Sequence, residues 1–390
     1  MSFGFTAAVA GILVPYLLRQ HGTPVDRIAG VVAVAMLPMV WAFLYSPLAD
    51  TGLRRRSWVL LSSSAAGLAA AAAILGVDGS LAVLTSLLFV SVAAAGLNAA
   101  AVGGLLTHVS ESARGRASGW SQAGNIGAGA VGGGVLIWLA DHAPRWSVAL
   151  VIFAAILLPS LAALLIEEAA PARRALGPLL RALFHDIREM ALSKRTWLGL
   201  LFFLSPAGSF AVSNLISGLG PDYHASSNAV VWVVGIGGGV LATLGSFLGG
   251  AIADRVNRMA AYALVALFGA VVAAYLALGP ATAFTYAVGY SAYALASGVS
   301  YCLFTALILD VVGQRRHAAA TAFSLLNASG NIAITYMLWL DGLGYKHRGA
   351  AGLMGMDALA NGASALVLLG VAFAASRFWR GQPSAKGGKA

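Results

Sequence analysis

Ser46 to Arg56 reads S-P-L-A-D-T-G-L-R-R-R, a short polar break between two apolar runs, and the motif returns at Gly250 to Arg258 as G-A-I-A-D-R-V-N-R. Aligned without a gap, Asp50 falls on Asp254 and Arg54 on Arg258, an offset of 204. A second echo, A-G-N-I-G around Asn125 and S-G-N-I-A around Asn331, has an offset of 206. Two independent marks that agree within two residues imply an internal duplication. The chain is then two similar halves in tandem, with their loops on the same side.

The runs on either side of these loops are long. Of 390 residues, 59% are hydrophobic and only 10% charged, whereas soluble domains carry roughly 25% charged residues, so water is not the main solvent. A helix needs about 20 apolar residues to cross a bilayer, and such stretches fill the chain. They lie at 2–18, 28–48, 57–77, 81–107, 116–140, 146–166, 197–217, 228–251, 259–279, 282–309, 318–340 and 354–376. The expected fold is therefore an all-α membrane protein of twelve transmembrane helices in two pseudo-symmetric six-helix bundles, 1–166 and 197–376. The first run begins almost at Met1 without a basic leader or cleavage site, so it reads as a retained helix. Cys302 is the single cysteine, which excludes an intrachain disulfide framework.

A net charge of +10 raises the question of a nucleic-acid partner. Of the 24 Lys and Arg residues, Arg19, Arg27, Arg145, Lys346 and Arg348 fall on one side of the twelve-helix topology and all others on the opposite side. That asymmetry is the positive-inside bias. It puts both termini in the cytoplasm, explains the net charge, and leaves no basic patch for nucleic acid. The expected location is a bacterial-type cytoplasmic (inner) membrane. The longest inner segment, 167–196, is a linker between the halves. In it Leu176, Leu179, Leu180, Leu183, Phe184, Ile187 and Met190 recur at helical spacing opposite Arg174, Arg181 and Arg188, as an interfacial amphipathic helix requires. A basic tail, 377–390, closes the chain.

Both loops resemble the signature G-x-L-A-D-R-x-G-R-R of the major facilitator superfamily. Gly250, Ala253, Asp254, Arg255 and Arg258 match it, whereas the first copy has Ser46 and Thr51 at two of its positions. The resemblance implies a secondary transporter with a substrate cavity between the halves. It also implies that Asp50, Arg54, Asp254, Arg255 and Arg258 form a conformational latch at the cytoplasmic helix ends; solvated stop-transfer charges are the plainer alternative. A narrower likeness runs from Phe43 to Trp58, where F-L-Y-S-P-L-A-D and R-R-R-S-W are similar to the AmpG-type muropeptide, acetyl-CoA and siderophore permease group. Members of that group carry acidic residues in the fourth helix. Here Asn98 and Val102 stand in their places, so no coupling carboxylate carries over.

Ionisable groups inside a span would mark a site, and the twelve runs hold charge only near their ends: Arg116, Asp310 and Asp357, the last read as a helix cap. The cavity is thus expected to be lined by neutral polar and aromatic groups. Tyr290, Tyr293, Ser297 and Tyr301 share one face of the tenth helix; a wet cavity and ordinary packing are the two readings of that stripe. Asn98, Gln122, Asn125, Asn327 and Asn331 are candidate cavity amides, or simple interhelical glue, and Trp120 is a candidate stacking ring. Gly127 and Gly133 on the fifth helix, with Gly238 and Gly245 on the eighth, form small-residue surfaces for close helix approach. They lack the G-K-[ST] end of a phosphate loop.

No catalytic, metal or cofactor motif is present, so no enzyme is expected. The predicted function is transport of a small organic, amphiphilic solute by rocker-switch alternating access, as a monomer in contact with lipid. Proton coupling is left to peripheral carboxylates, Asp50, Asp254, Asp310 or Asp357, or is absent. A multidrug or metabolite efflux pump of the same fold is the alternative. A non-transporting sensor and a polytopic membrane enzyme are the rivals from other classes.

Overall fold

A computed structural model describes residues 1–168, 176–313 and 318–380 of the chain. Within them nine helices are long and apolar enough to cross a membrane: Ser2–Gln20, Arg55–Leu75, Leu81–Leu106, Glu111–His142, Arg145–Leu165, Asn228–Ala253, Arg258–Leu278, Ala283–Val312 and Ala319–Ala374. A bent pair, Gly30–Val40 with Ala42–Asp50, makes a tenth. The last of the nine is two helices joined at Arg348 and Gly349, whose backbone is not helical. One further segment, the seventh, begins as Lys194–Phe203. These twelve segments, numbered in chain order as spans, are consistent with the sequence expectation and differ from it in how the second, seventh and eleventh run. Of the linker, Leu176–Leu192 is helical; 169–175 and the tail beyond 380 lie outside the described residues.

The third span shows why a span forms here. Leu61, Leu68 and Leu75 recur every seven residues and are more than half exposed, while Ala66, Ala70 and Ala73 on the other face are fully buried. Large side chains thus face lipid and small ones let neighbouring helices approach, as membrane packing without a hydrophobic drive requires. Glu168 accepts from the amides of Arg55 and Arg56 at 3.2 Å each, which caps the start of that helix with negative charge. Each half has its own core. Val9, Leu13, Ile74, Leu88 and Ile152 belong to the first, and Phe203, Ala266, Leu303 and Leu368 to the second.

The second span bends by 48°, because Pro38 lies within its helix and a proline there lacks a donor and crowds the preceding turn. The seventh departs further. A continuous helix over 197–217 was expected, but the helix stops at Phe203 and the chain continues in short 3-10 turns to Tyr223. Pro206 removes a backbone donor, and Gly208 and Phe210 take positive φ, +77° and +48°. Non-helical backbone at membrane depth persists only where its polar groups find partners. The tenth and eleventh spans supply them. Tyr336 Oη donates to the Leu204 carbonyl at 2.6 Å, Ser300 Oγ to Gly208 at 3.1 Å, Tyr301 Oη to Ser209 at 3.4 Å and Tyr286 Oη to Ile216 at 2.9 Å.

A Cβ at Gly208 would stand 2.7 Å from the Tyr262 ring, on a backbone that L residues avoid. Gly208→Ala should therefore lower stability by about 1–3 kcal/mol, visible as a lower melting temperature of the purified protein. Gly355→Ala, where a Cβ meets open space, should leave it unchanged.

Candidate functional site

Between the halves lies a cavity of about 440 Å³, lined from the first, second, fourth and fifth spans on one side and the seventh, ninth, tenth and eleventh on the other. Its size suits a small organic molecule. Asn98, Gln122, Asn125, Tyr301, Asn327 and Asn331 of the sequence candidates are on its wall. They differ in what they have left to offer. The Asn98 amide donates to the Val59 carbonyl at 2.9 Å and to Ser63 Oγ at 2.7 Å, which ties the fourth span to the third. Asn125 Oδ1 accepts from the Met1 amino group at 2.9 Å. Gln122 Nε2 donates across the halves to Thr305 Oγ1 at 2.7 Å.

Asn327 and Asn331, half-buried and one helical turn apart on the eleventh span, make no side-chain hydrogen bond among the described residues. A polar group removed from bulk water needs a partner, so these two amides have hydrogen-bonding capacity left for a molecule in the cavity. Phe203, Tyr262, Phe304 and Phe323 add rings. None of the described wall residues has a charged side chain.

Tyr290, Tyr293, Ser297 and Trp120 lie elsewhere. Tyr290 covers Gly238, where an added Cβ would come within 2.7 Å of its ring. Tyr293 is buried inside the second half against Phe210, with ring centroids 4.8 Å apart, and Ser297 Oγ bonds to its own helix at Ala294. Trp120 is 71% exposed and packs edge-on to Phe247, on the outside of the fifth and eighth spans. Much of the tyrosine stripe therefore serves the broken seventh span. Ser205, Gly208 and Ser209 of that broken span do line the cavity, and the Ser205-Pro206 and Gly208 pair was the sequence signal for it.

The glycine surfaces divide between partners. Gly119 and Gly127 of the fifth span meet Ser246 and Thr243 of the eighth across the halves, whereas Gly245 meets the tenth span and Gly133 meets Ile12 of the first.

On the side of the basic loops the halves are tied together. Asp50, its side chain fully buried, accepts from Arg55 Nη2 at 2.9 Å and from the amides of Ala320 and Thr321 at 3.1 and 2.8 Å. Asp254 accepts from the amides of Gly115 and Arg116 at 2.8 and 3.1 Å and from Arg116 Nε at 3.1 Å. Each duplicated aspartate thus caps a helix of the opposite half, the eleventh span in one case and the fifth in the other. Negative charge there is favoured by the exposed amides and the helix dipole. Arg258 and Arg114 converge on Asp310, and Arg258 also donates to the Glu111 carbonyl. Arg55 rather than Arg54 is the cation beside Asp50, and Arg255 is exposed. The cross-half hydrogen bonds of the described residues gather between the cavity and this face, with Gln122 to Thr305 the innermost.

Two carboxylates depart from the expectation that charge sits only at helix ends. The eleventh span continues beyond residue 340 to the kink at Arg348, so Asp341 lies inside it and is 0% exposed, beside Asp357 of the twelfth at 1%.

The sequence profile of the Major Facilitator Superfamily matches residues 1–338. A sequence comparison with curated proteins finds no match. Among solved structures, the human organic anion transporter MFSD10 (TETRAN) aligns at 17% identity with a TM-score of 0.69, over 94% of this chain and 97% of that one. The proton:xylose symporter XylE bound to 6-bromo-6-deoxy-D-glucose aligns at 14% identity and TM-score 0.70, over 95% and 93%. The E. coli fucose:proton symporter FucP (N162A) aligns at 18% identity and TM-score 0.67, over 95% and 97%. At these identities the likeness is one of fold.

Proposed function

Because the chain belongs to the Major Facilitator Superfamily, we propose that it moves an uncharged, amphiphilic small organic solute across a cytoplasmic membrane by alternating access. Residues 1–166 and 197–376 are the two moving bodies, joined by the linker 167–196, and the basic loops and termini face the cytoplasm. The observation that carries this reading is the cavity itself: it lies between the duplicated halves, offers two unpartnered amides and six aromatic rings, and has no charged side chain on its described wall. A charged solute would meet no charged side chain there, only the Met1 amino group held by Asn125, and a purely apolar one would leave the Asn327 and Asn331 amides unpaired.

The latched face supports a state closed to the cytoplasm, in which Asp50 and Asp254 hold helices of the opposite half. Opening toward the cytoplasm then requires both caps to release. The chain acts as a monomer with lipid around it, since one copy encloses the whole cavity.

The test is solute flux into proteoliposomes across a panel graded from sugars to amphiphilic drugs and peptidoglycan fragments. For the solute that is moved, Asn327→Ala and Asn331→Ala should each weaken binding by about 0.5–1.5 kcal/mol, the net worth of one hydrogen bond, without reducing folded yield. Unchanged affinity in both variants moves recognition away from the eleventh span.

A further inference from the structure

The second half encloses two carboxyls that transport by the cavity does not use. Asp341 is fully buried and both of its oxygens lack a hydrogen-bond partner. Its helix packs on the twelfth span, where Gly344 meets Gly352 and Met356, and the charge within its reach is that of Asp357, which accepts from Tyr293 Oη at 3.2 Å and from Asn361 Nδ2 at 2.9 Å. The surrounding elements bring no opposing charge. The tenth span contributes Tyr293 and then Tyr301, the twelfth Asn361, the seventh the Phe210 ring, and the ninth Gly269 against that ring and Ala270 against Gly362. Among the described residues no Lys, Arg or His pairs with either carboxyl. Two like charges in so apolar a site cannot both be ionised, and an ionisable group within a span marks function.

We propose that Asp341 and Asp357 form a proton-binding site, and that its occupancy sets the packing of the broken seventh span. The proposal deepens the transport reading, which supplies the two packings between which the proton selects. With the proton bound, the pair sits dry against Tyr293, and Phe210 packs on the Tyr293 ring. When the proton leaves to water, the bare carboxylate must recruit water or a donor. The weakest wall is Phe210, in left-handed backbone between short 3-10 turns. Its displacement carries Gly208 and Ser209, which line the cavity, so a proton held in the second half is felt at the solute site.

Two measurements on the purified full-length protein test this, and neither needs the solute. Infrared titration should show a protonated-carboxyl stretch at neutral pH that disappears at alkaline pH. Asp341→Asn and Asp357→Asn should each diminish it, and Tyr293→Phe should keep it but shift its frequency. In a Cys302→Ala background, labelling of Ser209→Cys by a water-soluble thiol reagent should speed up several-fold from acid to alkaline pH. It should become independent of pH in the double Asn variant. If that variant does not purify, the frequency shift in Tyr293→Phe carries the assignment. The proposal is overturned by a missing band at neutral pH, by a band or a labelling profile that survives both Asn substitutions unchanged, or by a band that sodium abolishes at fixed pH, which would assign a cation site. Failure of flux with both responses intact would overturn the transport reading alone.

Discussion

Gly119→Leu is expected to abolish solute flux while leaving the protein folded and open toward the basic-loop face. A Cβ at Gly119 would stand 2.8 Å from the Ser246 carbonyl oxygen and 3.2 Å from the Gly250 Cα, and both are backbone atoms that cannot rotate away. Overpacking of this kind costs about 1–3 kcal/mol even where side chains yield. The contact is between halves rather than within one, so the molecule has a way out: the fifth and eighth spans separate. Since every 1.4 kcal/mol is tenfold in an equilibrium, a wedge of that size depletes the closed state by about fivefold to a hundredfold or more. The readout is labelling of Ser324→Cys, on the cavity wall, by an impermeant reagent added from the basic-loop side, in a Cys302→Ala background. Labelling should rise as flux falls. Gly134→Leu on the same span, where an added Cβ meets open space, should change neither. Normal flux in Gly119→Leu would mean that these two spans do not close on each other during the cycle.

That the fifth and eighth spans approach their neighbours closely through small residues was legible in the sequence, because glycines inside apolar helices have few other uses. Which glycine meets which span was not. Gly119 and Gly245 look alike in composition, yet one faces the opposite half and the other faces Val299 of its own half, a difference set by helix rotation. The same limit applies to the tyrosine stripe. Spacing put Tyr290, Tyr293 and Tyr301 on one face of the tenth span, with a wet cavity as one of the two readings of that stripe. What that face meets is in part a broken neighbour: Tyr286 and Tyr301 bond to carbonyls that Pro206 and Gly208 release from helical pairing. Apolar run length hid that break, because 197–217 is as hydrophobic as an intact span. Asp341 escaped notice for a related reason, since hydropathy ends the eleventh span at the charge itself, while the helix continues another two turns to the kink. The cavity amides were readable because duplication marked Asn125 and Asn331 as equivalent, and both line the wall.

Duplication also makes Asp50 and Asp254 equivalent in sequence, but their surroundings predict unequal effects of the same substitution. The Asp50 side chain is fully buried beside an Arg55 side chain only 8% exposed, and its two oxygens take donors from Arg55, Ala320, the Thr321 amide and the Thr321 hydroxyl. An asparagine there offers one acceptor oxygen and turns two donors toward donors. Breaking a buried charge pair in this way costs about 3–5 kcal/mol. Asp254 is also mostly buried, but of its two cations Arg116 is 69% exposed and Arg258, at 3.7 Å, keeps its pair with Asp310, so in Asp254→Asn water and Asp310 replace much of what is lost and the cost is nearer the ~1–2 kcal/mol of one or two ordinary hydrogen bonds. Both caps join the halves only when the basic-loop face is closed, so both losses fall on that state. Labelling of Ser324→Cys from that side should therefore rise by a hundredfold or more in Asp50→Asn and by about tenfold in Asp254→Asn. Equal responses would mean that the two loops contribute through their position at the helix ends alone, and that burial of the ion pair adds nothing to the latch.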